Sequence, residues 1–283
     1  MSFTVVMVVL LAALLHASWN FLVKKADDKM LSMSAVVIGH VPFALLALPW
    51  VEMPDWEATW PYFVATVVFH SGYQWFLLNS YKIGDLSQVY PLARGVAPML
   101  VTLVSLGLLG VMLSAVELAA IALIGAGIIS LAFVKQHSGL FYYKAALLAL
   151  ITGGFIAGYS LIDGYGARAS GSPVGYYIVG SGLTSMLWSV YMHLKRPGLM
   201  KQLVTKEWRL VLLGGGASFG AYSMVVWAFT LAPIALVTAL RETSIIFAML
   251  LGVLVLGERL SWQKIAAALV TVAGVLLLRF SQA

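Results

Sequence analysis

Apolar residues run along this chain in stretches of about 20, each closed by a short cluster of charged, glycine or proline residues. A helix of that length crosses a bilayer core about 30 Å thick. The pattern therefore predicts ten membrane-spanning helices, near 3–23, 31–50, 60–81, 86–110, 115–134, 142–162, 174–194, 209–231, 234–256 and 262–280. The connections left over are short, and the longest polar one runs from about Leu194 to Trp208. No stretch is long enough for a soluble catalytic domain. The first span lacks a basic leader and is followed by nine more, so it reads as a retained helix and not as a cleaved signal peptide.

Composition narrows the class. With 61% hydrophobic residues, 10% charged residues and a mean hydropathy of +0.96, a soluble globular domain is excluded. The absence of cysteine excludes a disulfide framework and a thiolate metal site. A net charge of +6 raises the question of nucleic acid, but the basic residues fall in alternate loops. Lys24, Lys25 and Lys29 follow the first span, Lys82 the third, and Lys135 and Lys144 the fifth. Lys195, Arg196, Lys201, Lys206 and Arg209 follow the seventh, and Arg259 and Lys264 the ninth. The positive-inside rule makes these loops cytoplasmic and puts both termini outside a cell inner (plasma) membrane. Contact with anionic lipid accounts for the charge, so the expected partners are membrane lipids and a small-molecule solute, with no nucleic acid.

Two arginines stand inside apolar stretches, and a shift of 147 residues places Arg94 on Arg241, Gly110 on Gly257, Leu113 on Leu260, Ser114 on Ser261 and Gly127 on Gly274. One period spanning half a hydrophobic chain suggests a duplicated carrier with its site at the repeat interface. The halves are 1–137 and 138–283, within one integrated membrane domain. Five spans per half is odd, so the second half must be inverted relative to the first. Each arginine then lies about eight residues, roughly 12 Å, into its helix, close to the midplane. An intramembrane arginine is costly and marks a functional site by default.

The stretch His16-Ala-Ser-Trp19-Asn20 followed by Lys24, together with Gly257-Glu258-Arg259, resembles the drug/metabolite transporter superfamily, and within it the EamA-like ten-helix carriers. The resemblance implies an all-α membrane fold of two inverted five-helix repeats around a central cavity, working by alternating access on small metabolites. A subgroup with the histidine, Tyr90-Pro-Leu-Ala-Arg94-Gly and Asp163-Gly-Tyr-Gly-Ala-Arg168 is sometimes associated with phosphonate utilisation. The small multidrug members carry a proton-coupling carboxylate about where His16 stands, which makes His16 the candidate for proton coupling; histidine titrates near pH 6.5.

Helical spacing assembles the candidate site. His16, Trp19, Asn20 and Val23 share one face, His70, Tyr73, Gln74 and Leu77 another, and Tyr90 lies one turn from Arg94. Pro91 and Pro98 flank Gly95, and Pro91 is a gating candidate because proline removes a backbone donor and opens a helix beside the arginine. Glu242 follows Arg241 directly; neighbours on a helix point about 100° apart, which favours Glu242 pairing across the interface with Arg94. Tyr159, Tyr222 and Trp227 are expected to complete the walls, and Asp163 with Arg168 to sit near the outer surface as a gate or cap. Arginine binds carboxylate or phosphonate bidentately and stays charged, which fits an anionic or zwitterionic solute such as an amino acid or aminophosphonate.

A lipophilic-cation exporter is the alternative solute class, and a membrane-embedded enzyme acting on lipid headgroups the alternative function. His-Glu-x-x-His, Gly-x-Ser-x-Gly and aspartate-rich metal motifs are absent from the sequence, which calls for neither a cofactor nor a metal. The small residues around Gly125, Gly127, Gly252 and Gly257 are read as internal packing, and the protein as a monomer.

Overall fold

Hydropathy and helical order agree closely in the computed structural model, which describes residues 1–26, 28–83, 86–133, 143–256 and 261–280. The motif Gly257-Glu258-Arg259, Leu260, Lys135 and the boundary between the two halves lie outside the described residues, as do the side chains of Lys24 and Lys25. The helices are α1 (Phe3–Lys25), α2 (Lys29–Ile38), α3 (His40–Ala47), α4 (Trp56–Ile83), α5 (Leu86–Gly107), α6 (Ala115–Leu131), α7 (Tyr143–Ala169), α8 (Pro173–Lys195), α9 (Leu199–Thr205), α10 (Trp208–Leu231), α11 (Ile234–Arg241), α12 (Ser244–Leu256) and α13 (Trp262–Phe280). This is an all-α membrane protein, and among the described residues 7 stretches are long and apolar enough to cross a bilayer.

Burial is inverted relative to a soluble domain. Leu103, Val64, Leu147, Leu187 and Leu269 face outward, while Ser34, Thr152, Ser160, Ser185, Arg94 and Glu242 are buried. An apolar exterior costs nothing against lipid, so the polar groups collect where helices meet. Exposed tryptophans mark the two ends of the helix array: Trp50, Trp56 and Trp60 at one, Trp208 and Trp262 at the other. That is the distribution of an aromatic belt.

Three local features depart from a plain run of spans. The apolar stretch 29–50 breaks at Gly39, where a Cβ would collide with the backbone of Val211 and Gly215, so α2 and α3 lie directly on α10. The stretch 234–256 breaks between α11 and α12, immediately after Arg241. The connection from Leu194 to Trp208, expected to be a polar loop, holds the two-turn helix α9, which buries Leu199 and Leu203 and leaves Lys201 exposed. Two buried leucines opposite an exposed lysine suit a short helix lying along the membrane surface. Of the glycines read as packing sites, Gly125 and Gly127 stand against neighbouring helices, and Gly257 lies outside the described residues. A Cβ at Gly127 would press on Thr271 and Ala267 of α13, and one at Gly125 on Met99 of α5.

At one end of the array Phe3 of α1 lies under the Arg279 guanidinium of α13, 6.0 Å from it, so the first and last helices begin and end together. The same end joins α3 and α4 to α7 and α8: the Asp55 amide donates to Ser170 O (3.0 Å) and Ser172 Oγ to Glu52 O (2.6 Å). At the other end Asp28 caps α2 by accepting from the Leu31 amide (2.9 Å) and pairs with Arg196 beyond α8. Partial burial alone would raise the Asp28 carboxyl, but the Leu31 amide and the Arg196 guanidinium outweigh it and hold it below its usual value. A lowered folded pKa gives stability that is present above the unfolded carboxylate value, near pH 3.9, and lost as pH falls through the folded one. Asp28→Ala removes cap and pair and should cost about 1 kcal/mol; Asp28→Asn keeps the cap and should cost less. Thermal unfolding of the purified protein checks both, and equal stability of wild type and Asp28→Ala at neutral pH would contradict the assignment.

Candidate functional site

The buried charges come from two elements. α5 carries Arg94 and continues unbroken through Pro91 and Pro98, so the opening expected at Pro91 is not where the helix parts. It parts in the other half. The Glu242 amide donates to Ala239 O (3.1 Å), Thr243 to Leu240 O (3.1 Å) and Ile246 to Thr243 O (2.9 Å), three residues back in each case. Such a tight turn inside a span is a common mark of a functional site. It brings Arg241 and Glu242, adjacent in sequence, onto the same interior.

There Glu242 stands between both arginines. Its carboxylate is 2.7 Å from Arg94 Nε, the cross-interface pair expected from the sequence, and 3.6 Å from Arg241 Nη2, a neighbour contact that spacing did not favour. All three residues are buried, Glu242 completely. Two guanidiniums and one carboxylate leave a formal charge of +1. The 2.7 Å contact is close but off-line, so neither it nor the longer one is a well-aimed hydrogen bond, and Arg241 Nε and Nη2 have no hydrogen-bond acceptor. Arg94 Nη2 reaches Ser244 Oγ at 3.4 Å. Aromatic faces supply the rest: Tyr90 under Arg94 at 5.9 Å, and Tyr159 and Tyr222 under Arg241 at 5.8 and 5.7 Å.

On the far side of those tyrosines lies a cavity of about 80 Å³. Of the residues proposed from sequence, His16, Trp19, His70, Tyr73, Gln74, Tyr159, Asp163 and Tyr222 line it. Arg94, Arg241 and Glu242 do not; they sit behind Tyr159 and Tyr222, which are the layer between charge and cavity. Tyr90 stays with Arg94, and Asn20 turns back on its own helix, donating to His16 O (2.8 Å). Trp227 packs against the helix core and is no part of the wall.

Asp163 is not at the surface. It lies six residues inside the end of α7, roughly 9 Å, and is 1% exposed. Four side chains from three other helices converge on it. Thr66 Oγ1 donates to Oδ1 (2.5 Å), Tyr222 OH to Oδ2 (2.7 Å), His70 Nε2 meets Oδ2 at 2.8 Å, and Tyr176 OH lies 3.4 Å from Oδ1. Since the Thr66 proton is committed to the carboxylate, Tyr176 donates its own to Thr66 Oγ1 at 2.8 Å. Arg168, grouped with Asp163 in the sequence, is elsewhere: it donates to Phe229 O and Ala232 O, both at 2.9 Å, and so caps the end of α10. A second polar group, absent from the sequence reading, joins His40 Nε2 to Ser218 Oγ (3.0 Å) and Tyr177 OH to His40 Nδ1 (3.5 Å). The signal available was a histidine at the Gly39 break of an apolar stretch. No group of three or more His, Cys, Asp and Glu residues suited to a metal occurs among the described residues.

No curated protein matches the chain. A solved structure, described as a crystal structure of a protein, aligns over 98% of this chain and 96% of its own at 19% identity with a TM-score of 0.76, and shares the fold. The model of the EamA-like transporter family matches residues 144–280, from α7 to the end of α13. Residues 144–280 are thus an EamA-like transporter family domain, part of the drug/metabolite transporter superfamily, and membership of that family implies secondary transport of a small-molecule solute, not enzymatic turnover.

Proposed function

We propose that the protein moves a small anionic or zwitterionic metabolite, such as an amino acid or aminophosphonate, across the inner membrane by alternating access. The observation that carries this is the buried Arg94–Glu242–Arg241 cluster, whose formal charge is +1 and whose Arg241 Nε and Nη2 groups lack acceptors. A guanidinium in hydrocarbon is costly, and a bidentate anion satisfies both its charge and its donors. Entry from the cavity passes Tyr159 and Tyr222. An aromatic layer over a charge excludes water and leaves the cluster for a solute with its own negative group.

The architecture proposed with it is ten spans in two inverted repeats, 1–137 and 138–283, acting as a monomer. The seven apolar spans are joined by α4, α8 and the shorter α6. An even number of crossings agrees with Phe3 and Arg279 meeting at one end, and with Asp28 and Arg196 meeting at the other. The family match begins with the second half, as expected if five helices are the repeating unit. Asp55, Glu52 and the termini are assigned outside, the basic loops inside. The chain has no cysteine, so Ser2→Cys and Lys201→Cys can be labelled singly with an impermeant maleimide. Labelling of Ser2→Cys from outside and of Lys201→Cys only after permeabilisation is expected, and the reverse pattern would overturn the orientation.

Charge bookkeeping separates the variants. Glu242→Gln leaves two buried guanidiniums with no carboxylate and should cost about 3–5 kcal/mol, seen as lost expression or stability. Arg94→Ala leaves a neutral Arg241–Glu242 pair and should insert normally. Solute class is tested by thermal stabilisation against 2-aminoethylphosphonate, amino acids, sulfonates and quaternary amines, since a ligand of the folded state raises its melting temperature. Stabilisation confined to solutes with an anionic group, and lost in Arg94→Ala and Arg241→Ala, is expected. Stabilisation by lipophilic cations alone would make the arginines structural and the protein a multidrug exporter.

A further inference from the structure

The cavity holds a second ionisable centre that the arginine cluster does not use. Asp163 is enclosed by Thr66, Tyr176 and Tyr222, and its side chain keeps 2% of its surface. His70 touches the same carboxylate and keeps 18%, on the cavity side. His70 is thus the member of the pair more open to the cavity. His16, the candidate that the sequence offered, is placed differently. Its Nδ1 accepts from the Trp19 indole at 3.3 Å, and no carboxylate lies within ion-pair distance of it among the described residues.

The two centres share their wall. Tyr159 stacks on His70 at 4.2 Å with its plane 19° off, and its ring also lies under Arg241 at 5.8 Å. Tyr222 donates to Asp163 through its hydroxyl and lies under Arg241 at 5.7 Å through its ring. We propose that the His70–Asp163 pair is the proton-binding site that couples solute movement to the proton gradient, and that Tyr159 and Tyr222 transmit its state to the arginine cluster. The proposal rests on the transport reading above.

The physical steps are simple. With His70 neutral, Asp163 is a lone buried anion held by hydroxyl donors and the His70 N–H. With a proton bound, the pair is neutral overall, and the imidazolium faces the Tyr159 ring in a cation–π arrangement. Tyr159 then serves two cations, and Tyr222 answers to a carboxylate whose charge is already compensated. Both changes bear on rings that cover Arg241, which is what coupling between two sites requires. Other ionisable groups face the pair from every side: Tyr73 on its own helix, Tyr177 on α8 and His40 on α3. Beyond the tyrosines lie Arg94, Arg241 and Glu242 of α5 and the α11–α12 break. The described carboxylate in contact with His70 is Asp163.

Two measurements test this. The first needs no solute: proton uptake of the purified protein is titrated from about pH 8 to about pH 5, the range in which histidine changes charge. Wild type should take up one more proton per molecule than His70→Gln, in which the amide can still donate to Asp163; equal uptake overturns the proposal. The second uses liposomes with 2-aminoethylphosphonate as the probe, reading counterflow at equal pH and accumulation driven by a pH step. His70→Gln and Asp163→Asn should lose the pH-driven accumulation well beyond any loss of counterflow at equal pH, while His16→Gln should keep the wild-type ratio of the two. Accumulation that survives in His70→Gln, or is lost only in His16→Gln, overturns the assignment. A probe that neither binds nor exchanges in wild type counts against the anionic-solute reading and leaves the proton titration to decide this one.

Discussion

Two guanidiniums held around one carboxylate in the interior of a membrane protein set the conditions for the rest of the structure. An isolated charge there costs several kcal/mol, so Arg94, Arg241 and Glu242 persist only if they meet with little water between them. They reach each other because α11 ends at Arg241 and the chain tightens for one turn before α12. In a continuous α-helix Arg241 and Glu242 would diverge by about 100°. The break thus serves the ion cluster, and the buried faces of α1, α5 and α11 close over it. The tyrosines complete the enclosure with π-faces, which compensate part of the excess positive charge without adding a second carboxylate.

The polar interior falls into two centres of opposite sign, and their separation is maintained by different means. The positive cluster is under-supplied with hydrogen-bond partners. Asp163 has donors from α4 and α10, with Tyr176 of α8 supporting Thr66 behind them. A carboxylate so provided is fixed in place, whereas a guanidinium with unpaired N–H groups is left with binding capacity. That contrast, more than charge alone, is what supports the proposals of solute binding on one side of the tyrosines and proton binding on the other.

Much of the fold was legible in the sequence because the strongest constraint on it, apolar length against bilayer thickness, acts on contiguous residues. The starts and ends of the helices follow it within a few positions, except that α7 runs on to Ala169 where an end at 162 was expected, which is why Asp163 read as a surface residue. The exceptions are informative: α9 is two turns long, too short to register as a span, and the breaks at Gly39 and Glu242 arise from contacts with other helices. The 147-residue shift made the arginines legible, and the choice of Arg94 as partner for Glu242 followed from helical angle. The Asp163 network was not legible. Thr66, His70, Tyr176 and Tyr222 lie 97, 93, 13 and 59 residues from it, and nothing local in α7 tells an aspartate near a helix end that it will be surrounded. His40 and Tyr177 were missed for the same reason.

The two halves differ where an inverted repeat should match. The span bearing Arg241 is broken beside its arginine, and the span bearing Arg94 is intact although prolines stand three residues before and four after it. A proline interrupts the hydrogen-bond ladder one turn back, so α5 carries the weaker helix around its arginine and yet is the straight one here. In alternating access by inverted repeats, each half in turn adopts the conformation of the other. An exchange of roles would open α5 between Pro91 and Pro98 and close the turn at Glu242–Thr243, withdrawing Glu242 from Arg94. On the proposed inverted-repeat architecture, the pairing of these two residues would be a property of one access state, and an opening at Pro91 a property of the other.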